Sequence, residues 1–214
     1  MLNYRCSIKR SSEEVMRRTN TEMVPLIKKK ALELLMQRNP DSIGMRDIAR
    51  ECGITAANIY HYYADKDKLF QQIALDCLRE LNASLVEQIA VAKLPKEKII
   101  CAINAYRSWC FENPRKSLLV MQGIKSADNA PPEAVREYYL CNRTGIALLE
   151  ECVTLGIARS KNPVLDVSVL VTGLWGCIES VILKKCAVEY WDNGIAYTDR
   201  FIELWMEKIF IGEN

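Results

Sequence analysis

The sequence predicts an all-α fold of about nine helices, and three observations carry that expectation. Apolar residues recur at three- and four-residue spacing along most of the chain. No segment shows sustained two-residue alternation bounded by hairpin turns. Pro95, Pro114, Pro131-Pro132 and Pro163 stand where new helices can begin, because proline suits a first helical turn and breaks a helix interior. The 214 residues are 50% hydrophobic and 26% charged, which excludes a disordered chain, and nine Gly with seven Pro exclude collagen-like or linker character.

Ser11-Ser12-Glu13-Glu14 has capping-box spacing, so a short helix is expected in the N-terminal arm. The first strong helix is expected over 21–38, with Leu26, Ile27, Ala31, Leu34 and Leu35 at core spacing. Asn39-Pro40 ends it, Asn being tolerant of the left-handed conformation and Pro unable to continue. Two short helices follow at 45–52 and 56–62, then a long one after Asp65, a good N-cap, to residue 93. The prolines divide the remainder into helices at 95–112, 114–127, 132–159 and 163–190. Tyr190 to Gly194 reads as a turn before a last helix at 197–211. The expected domains are a basic arm (1–20), a small helical domain (21–72) and a larger one (73–214).

The first eighteen residues contain no apolar stretch of the kind a secretory signal needs. Val164 to Leu183 is the most apolar long stretch, but Asp166 and Glu179 interrupt it. A buried helix is expected there, and no membrane association. Nine cysteines without a signal point to free thiols in a reducing, cytoplasmic compartment. Net charge is +2, yet residues 1–72 hold 13 Lys/Arg against 9 Asp/Glu, so the basic excess sits at the end where a phosphate-bearing partner would bind.

The segment from Met45 to Phe70 carries the functional signal. Counted from Met45, Ala49 stands fifth, Gly53 ninth and Ile59 fifteenth, the spacing of a helix-turn-helix. Ala49 is small where two helices cross closely, and Gly53 permits a positive φ in the turn. Ile48, Ile54 and Ile59 form the apolar seam. Thr55 caps the second helix, whose first turn (Ala56, Ala57, Asn58) can point into a major groove.

The run Arg46-Asp47-Ile48-Ala49, Gly53-Ile54-Thr55, Ile59-Tyr60, Tyr62-Tyr63, Lys66 and Leu69 resembles the DNA-binding domain of TetR-family transcriptional regulators. Upstream, Ala31-Leu32-Glu33-Leu34-Leu35 is similar to that family's first-helix motif. The resemblance covers residues 24–72. It implies a phosphate or base contact for Arg46 and a recognition-helix start at Thr55, Ala56, Ala57 and Asn58. It further implies DNA-backbone contacts for Tyr60, His61 and Tyr62, and a phosphate contact for Lys66 at a helix N-terminus. The pattern departs at Gly44, which replaces a hydroxyl cap, at Asn39-Pro40, and at Ala56 and Ala57, which offer only methyl groups. Asn58 is left as the main polar reader of bases. Arg5, Lys9, Arg10, Arg17 and Arg18 in the arm suit either a second DNA contact or a solvated tail.

His61 is the only histidine, which leaves no Ser/His/Asp or zinc-hydrolase arrangement, so an enzyme is not expected, nor any cofactor or metal. The resemblance implies a C-terminal ligand-binding and dimerisation domain, with the homodimer formed through helices at about 163–190 and 197–212. Tyr106, Trp109, Cys110, Met121, Tyr138, Asn142 and Trp175 are the candidate ligand-binding residues, and their apolar and aromatic character favours a mostly hydrophobic small molecule. Glu179 suits a seam pairing or a cationic ligand. With no C-x-x-C, buried inert thiols are expected ahead of a thiol sensor. The expected protein is a one-component homodimeric repressor, released from a pseudo-palindromic operator by that ligand. The rival reading is an all-helical small-molecule-binding or scaffold protein whose helix-turn-helix is structural.

Overall fold

Ile27, Ala31, Leu34 and Leu35 are buried along one face of the first helix, α1 (residues 22–35), while Leu26 is half-buried. The structure, a computed structural model, describes residues 22–123 and 131–211. The arm and its expected short helix lie outside them. Ten α-helices occur among the described residues, and the chain divides into two units, one ending at Ile73 and the other beginning at Ala74.

The first unit contains α1, a 3-10 turn (Pro40–Ser42), α2 (Met45–Glu51), α3 (Ala56–Ile59) and the opening turns of α4 (Lys66–Val91). Asn39 is not left-handed. Its φ of -64 and ψ of 135 are extended, and its side chain accepts from the Asp41 amide to cap the 3-10 turn begun by Pro40. The residue before a proline is pushed toward extended backbone, and that preference wins here. Gly53 does have a positive φ, +68. Thr55 Oγ1 accepts from the Asn58 amide at 3.2 Å, and the Lys68 amide donates to Asp65 Oδ1 at 2.7 Å, so both predicted caps form. Helix α3 is shorter than expected, because i→i+3 bonds from His61 and Tyr62 tighten the chain before it reverses into α4. Ile43, Ile48, Ala49, Ile59, Leu69 and Ile73 fill the core beneath.

The second unit contains the rest of α4 with α5 (Pro95–Glu112), α6 (Pro114–Gly123), α7 (Pro132–Tyr138), α8 (Leu140–Thr154), α9 (Pro163–Ile182) and α10 (Gly194–Ile209). Each of the four helix-starting prolines opens its helix. Helix α9 packs on α8 and α10, and α5 packs on α6, α8 and α9. Arg107 of α5 forms an ion pair with Asp199 and donates to Thr198 Oγ1, tying α5 to α10. At Gly173 a Cβ would strike the Phe201 ring, so the close approach of α9 and α10 requires glycine there.

The single helix expected over 132–159 is broken at Tyr139. Asn82 donates to the Glu137 carbonyl and Arg143 to the Arg136 carbonyl, so side chains take acceptors that a continuous helix would use internally. Helix α9 ends at Ile182 rather than 190: Lys184 adopts a φ of 53, and the Lys185 amide turns back to the Ser180 carbonyl. Helix α10 starts earlier than expected because Asn193 caps it through the Ala196 amide. It stops at Ile209 because Phe210 is extended and pairs with Ala158.

Helix α9, expected to be buried, is covered by its own chain along one face only. Val167, Leu170, Leu174, Ile178 and Val181 are buried, but Val164, Leu165 and Val169 are 55%, 57% and 53% exposed. The helix has a mean hydropathy of 1.6 with only 28% of its most apolar window buried. It is long and apolar enough to cross a membrane by length and composition alone, a test that core helices also pass. Both acids have partners within the chain: Ser160 Oγ donates to Asp166 at 2.5 Å and Gln122 to Glu179 at 3.1 Å.

Candidate nucleic-acid interface and apolar cavity

The helix-turn-helix buries its seam and leaves its polar residues outside. Ile48 and Ile59 are fully buried and Ile54 half-buried, which orients α3 against α2. As a result Arg46, Thr55, Ala57, Asn58, Tyr60 and His61 are exposed, and Ala56, Tyr62 and Lys66 are half-buried. None of the nine residues predicted for DNA contact is in the core. Tyr60, 52% exposed, presents a large ring to solvent without a core reason to do so.

The cap of α2 works without a hydroxyl. Gly44 has no side chain to offer, but its amide donates to Asp47 Oδ2 at 3.0 Å. That bond, aided by Arg50 at 3.0 Å, holds the Asp47 carboxyl below its usual pKa despite some opposing desolvation. Asp47 thereby fixes the first turn of α2, on which Arg46 is carried. Arg46 itself makes no ion pair with a described residue. Lys66 is less free: its ammonium donates to the Pro40 carbonyl at 3.2 Å and lies 5.5 Å from the centre of the Phe70 ring. A phosphate would have to draw it off that carbonyl. The surface can supply a guanidinium, hydroxyls, an imidazole and an amide to an anionic, base-bearing polymer.

Within the second unit, α4, α5, α8 and α9 enclose an apolar cavity with about 660 Å³ of open space, its mouth included. Leu85, Ile99, Ile103, Leu148, Val167 and Leu174 form much of its wall, and Val86, 57% exposed, stands on its lining as well. Of the seven ligand candidates, Tyr106 lines this space. The other six sit elsewhere. Trp109 is buried in α5, while Cys110 and Met121 gather around Ser117, which donates to Met121 Sδ at 3.6 Å. Tyr138 packs edge-on to Tyr139 with centroids 5.1 Å apart, and Asn142 and Trp175 are half-buried outside the lining.

Sequence reasoning missed Asn82, Cys141 and Thr144 on the cavity wall. A signal for Asn82 existed: it interrupts Leu78, Leu81 and Leu85 on the apolar face of α4, and it is only 3% exposed. Burial pushes the Cys77 and Cys110 thiols up to about 11 and the Cys141 thiol up to about 12. Neutral thiols of that kind are poor nucleophiles. Among the described residues no group of three or more His, Cys, Asp or Glu is placed to hold a metal ion.

Residues 27–73 match the sequence model of bacterial regulatory proteins of the tetR family. The HTH-type transcriptional regulator BetI of Brucella canis is 35% identical over 89 residues, covering 39% of this chain and 45% of BetI. The matched stretch thus spans less than half the length of that relative. A bacterial regulatory protein in the tetR family from Rhodococcus RHA1 superposes with a TM-score of 0.69 at 15% identity, over 90% of this chain and 99% of that one. AibR, solved with isovaleryl coenzyme A and operator DNA, gives 0.64 at 13% identity, over 86% and 97% of the two chains. At such identities the likeness is one of fold, and it extends through both units.

Proposed function

We propose, from the premise that residues 27–73 form a TetR-family helix-turn-helix, that this chain is a cytoplasmic, homodimeric transcriptional repressor. It binds a pseudo-palindromic DNA operator and leaves it when a small, mostly hydrophobic ligand occupies the cavity of the second unit. The observation that carries the reading is the exposure of Arg46, Thr55, Asn58, Tyr60 and His61 on a motif whose apolar seam is buried.

Dimerisation has its own support. On α9, Leu165, Val169, Thr172 and Gly176 are all exposed and follow one another at four-, three- and four-residue steps, so they share one face. A Cβ on Gly176 would meet nothing within 4 Å. A mostly apolar stripe with a glycine opening suits close packing against its own copy about a two-fold axis. Two recognition helices would then reach successive major grooves about 34–36 Å apart.

Regulation requires only that DNA and ligand prefer different conformers of the dimer. The coupling is reciprocal, so operator DNA weakens ligand binding by the factor by which ligand weakens operator binding. Selection of bound duplexes from a random pool at near-physiological salt tests the reading. Enrichment of a two-fold symmetric site is the expected result. Weak binding that vanishes as salt rises, with no enriched sequence, would contradict it and favour a structural helix-turn-helix.

A further inference from the structure

The cavity offers no charged side chain to an occupant. Its polar lining consists of Asn82, Tyr106, Cys141 and Thr144. Two of these satisfy each other and a neighbour. The Asn82 amide nitrogen donates to the Glu137 carbonyl at 3.0 Å and to the Glu137 carboxylate at 2.9 Å, while the Cys141 thiol donates to Asn82 Oδ1 at 3.4 Å. Asn82 therefore has little left for a ligand.

Tyr106 is different. Desolvation pushes its phenol well above the usual tyrosine range, so it stays a neutral donor. It nonetheless lines the void, and no described residue hydrogen-bonds its hydroxyl. A half-buried hydroxyl on the cavity lining without a partner is available to bond an occupant. A carboxylate or ammonium entering the same space would lose its hydration and find no counter-charge.

We infer that the cavity takes an uncharged, largely hydrocarbon ligand of the alcohol, ketone or ester class, whose oxygen exchanges a hydrogen bond with Tyr106. The inference rests on the effector reading for what binding accomplishes. It is nevertheless tested on the protein alone, so an absent operator and an absent ligand site are separate results.

The test is isothermal titration of the full chain at neutral pH with four probes of one length: 1-octanol, 1-chlorooctane, octanoate and octylammonium. The expected result is that octanol binds at least tenfold tighter than octanoate and octylammonium. Tyr106→Phe should weaken octanol about three- to tenfold, the range for one neutral hydrogen bond, and leave chlorooctane unchanged. Thermal unfolding of the variant checks that it folds, and its unchanged affinity for chlorooctane checks that the cavity keeps its shape. An ion that binds as well as octanol overturns the inference. So does absence of octanol binding, an equal loss of octanol and chlorooctane in Tyr106→Phe, or an octanol affinity that Tyr106→Phe leaves unchanged.

Discussion

The side-chain amide of Asn82 grips Glu137 twice, at its backbone carbonyl (3.0 Å) and at its carboxylate (2.9 Å). The second carboxylate oxygen of Glu137 lies 4.0 Å from Arg79, one turn earlier on α4. Helix α4 thus holds the last turn of α7, and the break at Tyr139 turns α8 so that Cys141 and Thr144 face the cavity.

Asn82→Leu keeps the volume but removes the donors, leaving the half-buried Glu137 carbonyl without its side-chain partner. The expected cost is about 1–3 kcal/mol of stability, measured by urea unfolding. Unchanged stability would mean that water or another donor replaces the amide fully.

The Asp47 cap predicts a pH dependence. Its carboxyl titrates below the ordinary value of 3.8 in the folded chain, so the stability it contributes is complete above that value. That stability is lost as pH falls through the lower, folded pKa. The stability difference between wild type and Asp47→Ala should be constant near neutrality and close up in strong acid. A difference that grows on acidification would reverse the sign and contradict the assignment.

Asn58 is the one amide among the exposed residues at the start of α3. Asn58→Ala should relax sequence preference, costing about tenfold or more on the selected operator and little on random duplex. Equal losses on both would make Asn58 a backbone contact instead.

Val169, in the exposed stripe of α9, tests the dimer. Val169→Lys should yield a folded monomer in sedimentation, with operator affinity falling in parallel. A Val169→Lys protein that remains dimeric at micromolar concentration would place the seam elsewhere.

Local rules made much of this molecule legible in its sequence. The starts of α5, α6, α7 and α9 follow from prolines, the Thr55 and Asp65 caps from single residues, and the Gly53 turn from backbone freedom. The cavity was not legible, because its wall joins residues from Asn82 to Leu174 on four helices. Tyr106 shares a face of α5 with Ile99, Ile103 and Cys110, yet Cys110 lies one turn beyond, against Ser117. Periodicity identifies the face but not where along it the void ends. Composition likewise made α9 apolar without telling whether its own chain or a second copy covers it.

The most direct test of symmetric, dimeric recognition is half-site spacing. Once an operator is selected, its affinity is measured with and without about five base pairs inserted at the centre, roughly half a helical turn. The insertion rotates one half-site to the opposite face of the duplex. Binding should then fall to the level of random DNA. Affinity that survives the insertion would show that each helix-turn-helix reads its half-site alone, and would contradict the dimeric regulator.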